Sequence, residues 1–364
     1  MKVFSGVLFL CVATFASAQN SEKPEDLSEL LQPILKKSSV PSLATMAIVD
    51  GEVKGSGAVG VRVKGESDPV TVDDKFHIGS CTKSMTATLA AVLIEEGKLS
   101  WDLTVKEALP RYRMHEAYEN VTLRQLLSNR GGFPKDVPRD IWSDAWKASG
   151  KGQVQRAAFA KAMLQLDPVY PPGEGHEYSN TGFAVAGHMM EILMKKSWGT
   201  LLKEKVFDPL GMSSAGFGAP NNDRVNPQPW GHSKDSKPIP RGKGSDNPAA
   251  IGPAGTVHCS LPDLAKYVRM HTLRELGPVL KKQSSYDVLH HPMNADHGYA
   301  KGWIVTERGW GGQVFTHTGS NTMFYCTIWF SPEKKFAGIA ATNQGDAHAV
   351  CDEVIGALIG RYLR

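Results

Sequence analysis

The chain has 364 residues, a formal net charge of +4 and 21% charged residues. So small a positive excess argues against a nucleic-acid or membrane-surface partner, and no apolar run is long enough to span a bilayer. The length allows one large domain or two smaller ones.

The first element is "MKVFSGVLFLCVATFASAQN", in which Lys2 precedes an apolar run of roughly ten residues and then Ala16-Ser17-Ala18. The run has no polar face, so it does not suit a buried helix, and the small residues form a cleavage pattern. It reads as an export signal at residues 1–18, leaving a periplasmic or secreted protein. Leu10 is bulky for lipid attachment at Cys11. Four cysteines follow, Cys81, Cys259, Cys326 and Cys351, with no C-x-x-C pair, so a structural zinc site is not indicated. They read as buried small hydrophobes.

"SLATMAIVDGEVKGSGAVGVRV" predicts two strands joined at Asp50-Gly51, a strong hairpin signal. After Lys75 the texture turns helical. "SCTKSMTATLAAVLIEEGKL" puts Met85, Leu89, Val92 and Leu93 on one side and stops at Gly97. "VTLRQLLSNRGG" predicts a short helix, and "NTGFAVAGHMMEILMKKSWG" a longer one closing near Gly199. Residues 219–256 are rich in Pro, Gly and Asn and read as a long surface excursion. A helix capped by Ser260 follows, with Asp263 at the capping-box position. Strands return in "YAKGWIVTE", "QVFTH", "MFYCTIWF" and "KFAGIAATN", and a helix with Val350, Val354, Ile355 and Leu358 on one stripe ends the chain.

Strands at both ends with helices between them predict an α+β fold. One antiparallel sheet is built from about residues 26–75 and 257–364, flanked by helices, with an all-helical region inserted over about 76–256.

Three short patterns carry chemistry. In "FHIGSCTKSM", Ser80 and Lys83 stand one helical turn apart on the same face at a helix start. A serine hydroxyl needs a nearby base. A lysine serves only if burial and the positive end of the helix dipole lower its pKa from about 10.4. Taken alone, the pattern is better explained by a capping serine and a solvated lysine. Indeed Ser331-Pro332-Glu333-Lys334 repeats it in an expected hairpin turn, where no helix aligns the side chains.

"GEGHEYSNTGF" sets Tyr178 and Asn180 just before a helix, where a phenol can relay protons and an amide can bond a carbonyl or a lysine. Tyr118-Glu119-Asn120 repeats this spacing. "THTGSNTMF" places His317, Thr318 and Gly319 at a strand end, with Ser320 opening the next connection. Glycine there lets a ligand approach the backbone.

Together and in this order, the three patterns resemble the serine β-lactamase and penicillin-binding-protein superfamily. The likeness is strongest to class C β-lactamases and their relatives: D-aminopeptidases, DD-carboxypeptidases and family VIII esterases. It runs from about residue 26 to the C-terminus and includes "TVKEALP", "VTLRQLLSNRGGFP", "VFDPLGM" and "GPAGTVHCSLPDLAKY".

The resemblance implies a groove between sheet and helical region. Ser80 would be the nucleophile there, Lys83 and Tyr178 proton-transfer partners, and Asn180 a substrate contact. His317, Thr318 and Gly319 would lie on the strand lining the groove, and the N–H groups of Ser80 and Ser320 would form an oxyanion hole. It implies no cofactor or metal, and a small ester, peptide or β-lactam as substrate. Two positions depart from it: His317 stands where β-lactamases of this class usually carry lysine, and His176 where the family is often aromatic. An unperturbed histidine at 317 would hold a carboxylate only below pH ~6.5.

Other readings fit less well. There is no G-x-S-x-G elbow and no H-E-x-x-H, and His290, His291 and His297 read as a surface patch rather than a metal site. No cysteine-enzyme signature flanks Cys81. The rival from another class is a non-catalytic receptor for peptidoglycan fragments or β-lactams.

Overall fold

The computed structural model describes residues 23–223, 226–294 and 297–363; the expected export signal lies outside them. No helix among the described residues is long and apolar enough to cross a membrane. In chain order the strands are β1 (Glu25–Asp26), β2 (Ser42–Val49), β3 (Glu52–Gly60), β4 (Phe76–His77), β5 (Gly216–Phe217), β6 (Val257–Cys259), β7 (Ile304–Arg308), β8 (Gly312–Ser320), β9 (Tyr325–Ser331) and β10 (Phe336–Thr342).

Seven of them form one sheet in the order β1-β3-β2-β10-β9-β8-β7. It is antiparallel apart from β1, which runs parallel to β3. The two chain ends meet where β2 pairs with β10, Met46 opposite Ile339. The expected hairpin is present: Asp50 and Gly51 have φ of 52° and 84°, the positive pair that a two-residue turn between twisted strands requires.

β2 reads as a nearly continuous apolar run because both faces of the sheet are covered. Leu43 and Ala47 join a cluster with Leu31 of the Ser28–Lys37 helix and Val354 and Leu358 of the His348–Tyr362 helix. Ala44, Met46 and Ile48 face the larger core, with Leu264 and Val268 of the Leu261–Leu273 helix.

The helix Thr82–Glu95 differs from its expected amphipathic form, since twelve of its fourteen residues are buried. It is a central helix, enclosed on all sides rather than along one stripe. Its polar residues are satisfied internally: Thr86 Oγ1 donates to the Pro253 carbonyl at 2.7 Å, and Thr88 Oγ1 lies 3.0 Å from the Tyr267 hydroxyl.

Three further expectations need correction. Residues 219–256 are not simply a surface excursion: Ala250, Ile251, Pro253 and Ala254 are buried beside this helix. Side chains from elsewhere take up that segment's carbonyls, as when Arg156 Nη1 donates to Ala249 O at 2.8 Å, so it shows no periodicity. The helix expected to close near Gly199 stops at Met194, where Lys195 turns left-handed, and Ser197 caps a new helix from Trp198. His290 is not on the surface; it is buried, its Nε2 3.0 Å from His271 Nδ1.

Between the helices Gly152–Met163 and Asn180–Met194, Arg156 grips Glu191 with two bonds of 2.8 and 3.2 Å. Burial pushes the Glu191 carboxyl up, but hydrogen bonds from His188 and Arg156 outweigh it and hold its pKa at about 2. The pair's contribution is full above the ordinary carboxylate range and is lost as pH falls toward 2. Arg156→Met strands a buried carboxylate and is expected to cost ~3–5 kcal/mol. Urea unfolding at neutral pH measures it; a change under ~1 kcal/mol would show that the pair is dispensable.

Candidate active site

The groove is built by one close approach. Gly79, at φ 48°, leads a short 3-10 turn, Gly79–Cys81, into the central helix. A Cβ on Gly319 would overlap the Ile78 carbonyl oxygen and stand 2.6 Å from the Ser80 nitrogen; one on Gly79 would overlap the Ser320 nitrogen. Only two glycines let β8 lie directly on the turn that carries Ser80. The Ser80 and Ser320 N–H groups thus stand on opposite sides of one contact. β7 pairs with β8 only as far as Thr316, so the edge from His317 onward has no β7 partner.

Lys83 is wholly buried, and its Nζ lies 3.0 Å from Ser80 Oγ, 2.7 Å from Asn180 Oδ1 and 2.9 Å from the Ala254 carbonyl. Burial lowers its pKa to about 7, Cys81 opposing weakly. Asn180 Oδ1 and the Ala254 carbonyl can only accept, so once the amine is neutral its two N–H bonds go to them and its lone pair is left facing the Ser80 hydroxyl.

The Tyr178 side chain lies beside Ser80, and Lys83 Nζ sits 4.7 Å from the Tyr178 ring centre. Desolvation pushes the Tyr178 phenol far up, with nearby Ser80 opposing, so it is a proton donor at ordinary pH. Of the two candidate bases, Lys83 is the one poised near neutrality. Asn180 opens its helix, where the Ser179 hydroxyl accepts the Thr181 N–H at 3.2 Å and donates to Pro134 O at 2.8 Å.

His317 reaches the same groove but is 3% exposed. Its Nδ1 lies 2.6 Å from the Thr318 carbonyl, an acceptor, so Nδ1 carries the hydrogen. Nε2 is then the acceptor for the Tyr299 hydroxyl at 3.3 Å. Burial lowers the His317 pKa to about 3, with nearby Lys83 adding to the effect. The expected loss of charge near pH 6.5 therefore does not occur, because His317 is neutral across the whole ordinary range.

The Thr318 side chain lies beside Tyr325, a residue packed against the terminal helices. Strand alternation puts that side chain on the face away from Gly319 and Ser80. Ser320 Oγ donates to Phe324 O at 2.7 Å and accepts the Thr322 N–H at 2.9 Å, fixing the β8–β9 turn.

The casual copies separate cleanly. Ser331 Oγ donates to Gly311 O at 2.7 Å at the end of β9, and Lys334 pairs with Glu333. Tyr118 is buried and stacks on Phe133 at 4.6 Å. Cys81 is buried, its Sγ 3.5 Å from the His317 carbonyl, and burial raises its pKa well above the usual thiol value. It is a thiol turned away from the groove. All four described cysteines are free.

Sequence reasoning missed two contributors. The Ala254 carbonyl leaves no mark in a side-chain pattern. Tyr299 was folded into an expected strand over "YAKGWIVTE", yet β7 starts only at Ile304. Tyr299 instead stands in the groove, its ring centre 6.0 Å from that of Tyr178 and 5.9 Å from that of His317.

A helix-borne serine and buried lysine, a tyrosine beside them and a glycine-bearing strand across the groove define a serine hydrolase of the β-lactamase/transpeptidase fold. The chain belongs to the Beta-lactamase family, which it matches over residues 27–356. It is 27% identical over 339 residues to penicillin-binding protein 4 of Amycolatopsis lactamdurans, covering 88% of this chain and 85% of that one. It is 24% identical to Protein flp of Staphylococcus aureus (strain N315), spanning 89% of this chain but only 64% of that protein's length. A class C beta-lactamase superposes with a TM-score of 0.76 at 19% identity, over 92% of this chain and 95% of the other; that likeness speaks for the fold.

Proposed function

We propose that the protein hydrolyses small esters, and secondarily D-peptide or other amide bonds, through an acyl-enzyme on Ser80. The observation that carries this reading is the fully buried Lys83 amine, 3.0 Å from Ser80 Oγ and lowered to a pKa of about 7. Ser80 Oγ attacks the substrate carbonyl while Lys83 Nζ takes its proton. The oxyanion develops toward the Ser80 and Ser320 N–H groups. The proton returns to the departing oxygen or nitrogen through the Tyr178 phenol, and water repeats the sequence on the acyl group.

The ranking of substrates rests on charge. A neutral His317, its nitrogens engaged by Thr318 and Tyr299, supplies no cation for a substrate carboxylate. Substrates without one are favoured, so short-chain esters come first and β-lactams are turned over weakly. Export to the periplasm or beyond accords with the N-terminal sequence and is part of this proposal.

A panel of p-nitrophenyl esters, D-alanyl peptides and nitrocefin tests the ranking; nitrocefin outrunning the esters would reverse it. Labelling by a fluorophosphonate probe tests the chemistry. Label is expected on wild type and on Ser331→Ala but not on Ser80→Ala. An unlabelled wild type would favour the receptor reading.

A further inference from the structure

A carboxylate stands behind the groove that none of the motifs contains. Asp246, 9% exposed, lies in the segment that reads as a surface excursion. Its Oδ1 faces two buried side chains, His77 Nε2 at 2.8 Å and Asn321 Nδ2 at 3.2 Å. On β4, His77 Nδ1 accepts the Gly79 N–H at 3.0 Å. That bond assigns the tautomer: Nδ1 holds the lone pair, so Nε2 carries the hydrogen and touches Asp246 Oδ1 at 2.8 Å without the alignment of a hydrogen bond. Asn321 follows Ser320, and its Oδ1 accepts the N–H groups of Met323 at 3.2 Å and Phe324 at 3.0 Å. One oxygen thus joins the supports of both sides of the groove.

We propose that Asp246 is a positioning residue that ties the two halves of the oxyanion hole together. It acts through His77 on the Gly79-Ser80 turn and through Asn321 on Ser320; the inference rests on the acyl-enzyme reading above. The physical need is plain from the topology. β4 belongs to the small β4-β6-β5 sheet and β8 to the large one, so no strand ladder links them. The contact of Gly79 with Gly319 stops the two N–H groups from moving closer. Packing of that kind does little to stop them spreading, whereas a hydrogen bond from Asn321 and a close polar contact with His77 at one shared oxygen do. Oxyanion donors work only within a few tenths of an ångström of their ideal distance.

Asp246 also lines a cavity of about 310 Å³ with Arg156, Trp198 and Phe217. A small carboxylate fits there, which makes chemical rescue a usable test. The experiment compares p-nitrophenyl butyrate turnover and phenylboronic acid inhibition in wild type, Asp246→Ala, Asp246→Asn, Asn321→Ala and Ser80→Ala. Asp246→Ala is expected to lower kcat ~10–100-fold with KM nearly unchanged, because the hole acts in the transition state.

Boronate inhibition should weaken by a similar factor, since the tetrahedral adduct places an oxygen in the hole. Added formate should restore part of kcat in Asp246→Ala and leave wild type unaffected. Asp246→Asn, whose Oδ1 can still accept from Asn321 and stand against His77, should retain most activity. Asn321→Ala should lose kcat like Asp246→Ala, which keeps the test decisive should the aspartate variant fold poorly. Wild-type kcat and boronate affinity in either alanine variant, with Ser80→Ala inactive, would overturn the tie and leave the acyl-enzyme reading standing. Turnover surviving in Ser80→Ala would overturn that reading itself.

Discussion

Lys83→Ala is expected to slow acylation of Ser80 by ~10²–10⁴-fold, the range for loss of a positioned general base. The wild-type pH profile should carry the same signature. A neutral amine accepts the proton and an ammonium does not, so kcat/KM for an uncharged ester should rise with pH and level off above about 7, the pKa burial gives Lys83. kcat/KM reports groups of the free enzyme, and an uncharged ester adds no titration of its own. His317 adds no inflection in this range, because its pKa lies near 3.

Tyr178→Phe should also cost orders of magnitude, and the double variant little more, since groups that act on one proton are not additive. Tyr118→Phe, away from the groove, should turn over like wild type. Stopped-flow acylation across pH 5–9 measures all of this. A flat profile, or a Lys83→Ala enzyme within tenfold of wild type, would remove Lys83 from the mechanism.

Gly319→Ala is expected to be comparably damaging without touching any reacting side chain. The added methyl would collide with the Ile78 carbonyl and the Ser80 and Cys81 nitrogens, all of them backbone. No rotamer change can make room, so β8 and the nucleophile turn must separate. Separation withdraws the Ser320 N–H from the oxyanion, and loss of one such donor is worth ~10²–10³ in kcat. The strand is anchored by its pairing with β9 from Phe315 to Ser320, so the variant should remain folded by circular dichroism. Lost turnover together with lost folding would show instead that the contact is chiefly structural. Unchanged kcat would mean that Ser320 lies outside the hole.

The sequence by itself determined whatever is encoded within a few residues. Asp50-Gly51 specifies its turn through backbone preference, and Ser80-x-x-Lys83 places two side chains one helical turn apart wherever that helix is packed. Alternation along "QVFTHTG" puts His317 and Gly319 on one face of a strand. These local rules gave the α+β class and the sheet drawn from both chain ends; the family resemblance named most members of the groove, but not Tyr299 or the Ala254 carbonyl.

Tertiary structure decided how each copy of a pattern is packed, and with it what the copy can do. Ser331-x-x-Lys334 has the spacing of the pair at Ser80 but closes a hairpin, and Tyr118 has the spacing of Tyr178 but fills a core. Residues remote in the chain also set the charges. Lys83 loses its proton near neutrality because the Ala254 segment and the Asn180 helix exclude water from it, and His317 is neutral because burial and nearby Lys83 outweigh its bond to the Thr318 carbonyl. Desolvation depends on everything packed around a group, however far away in sequence. Neither the irregular stretch that supplies Ala254 and Asp246 nor the enclosure of the central helix has a periodicity to betray it.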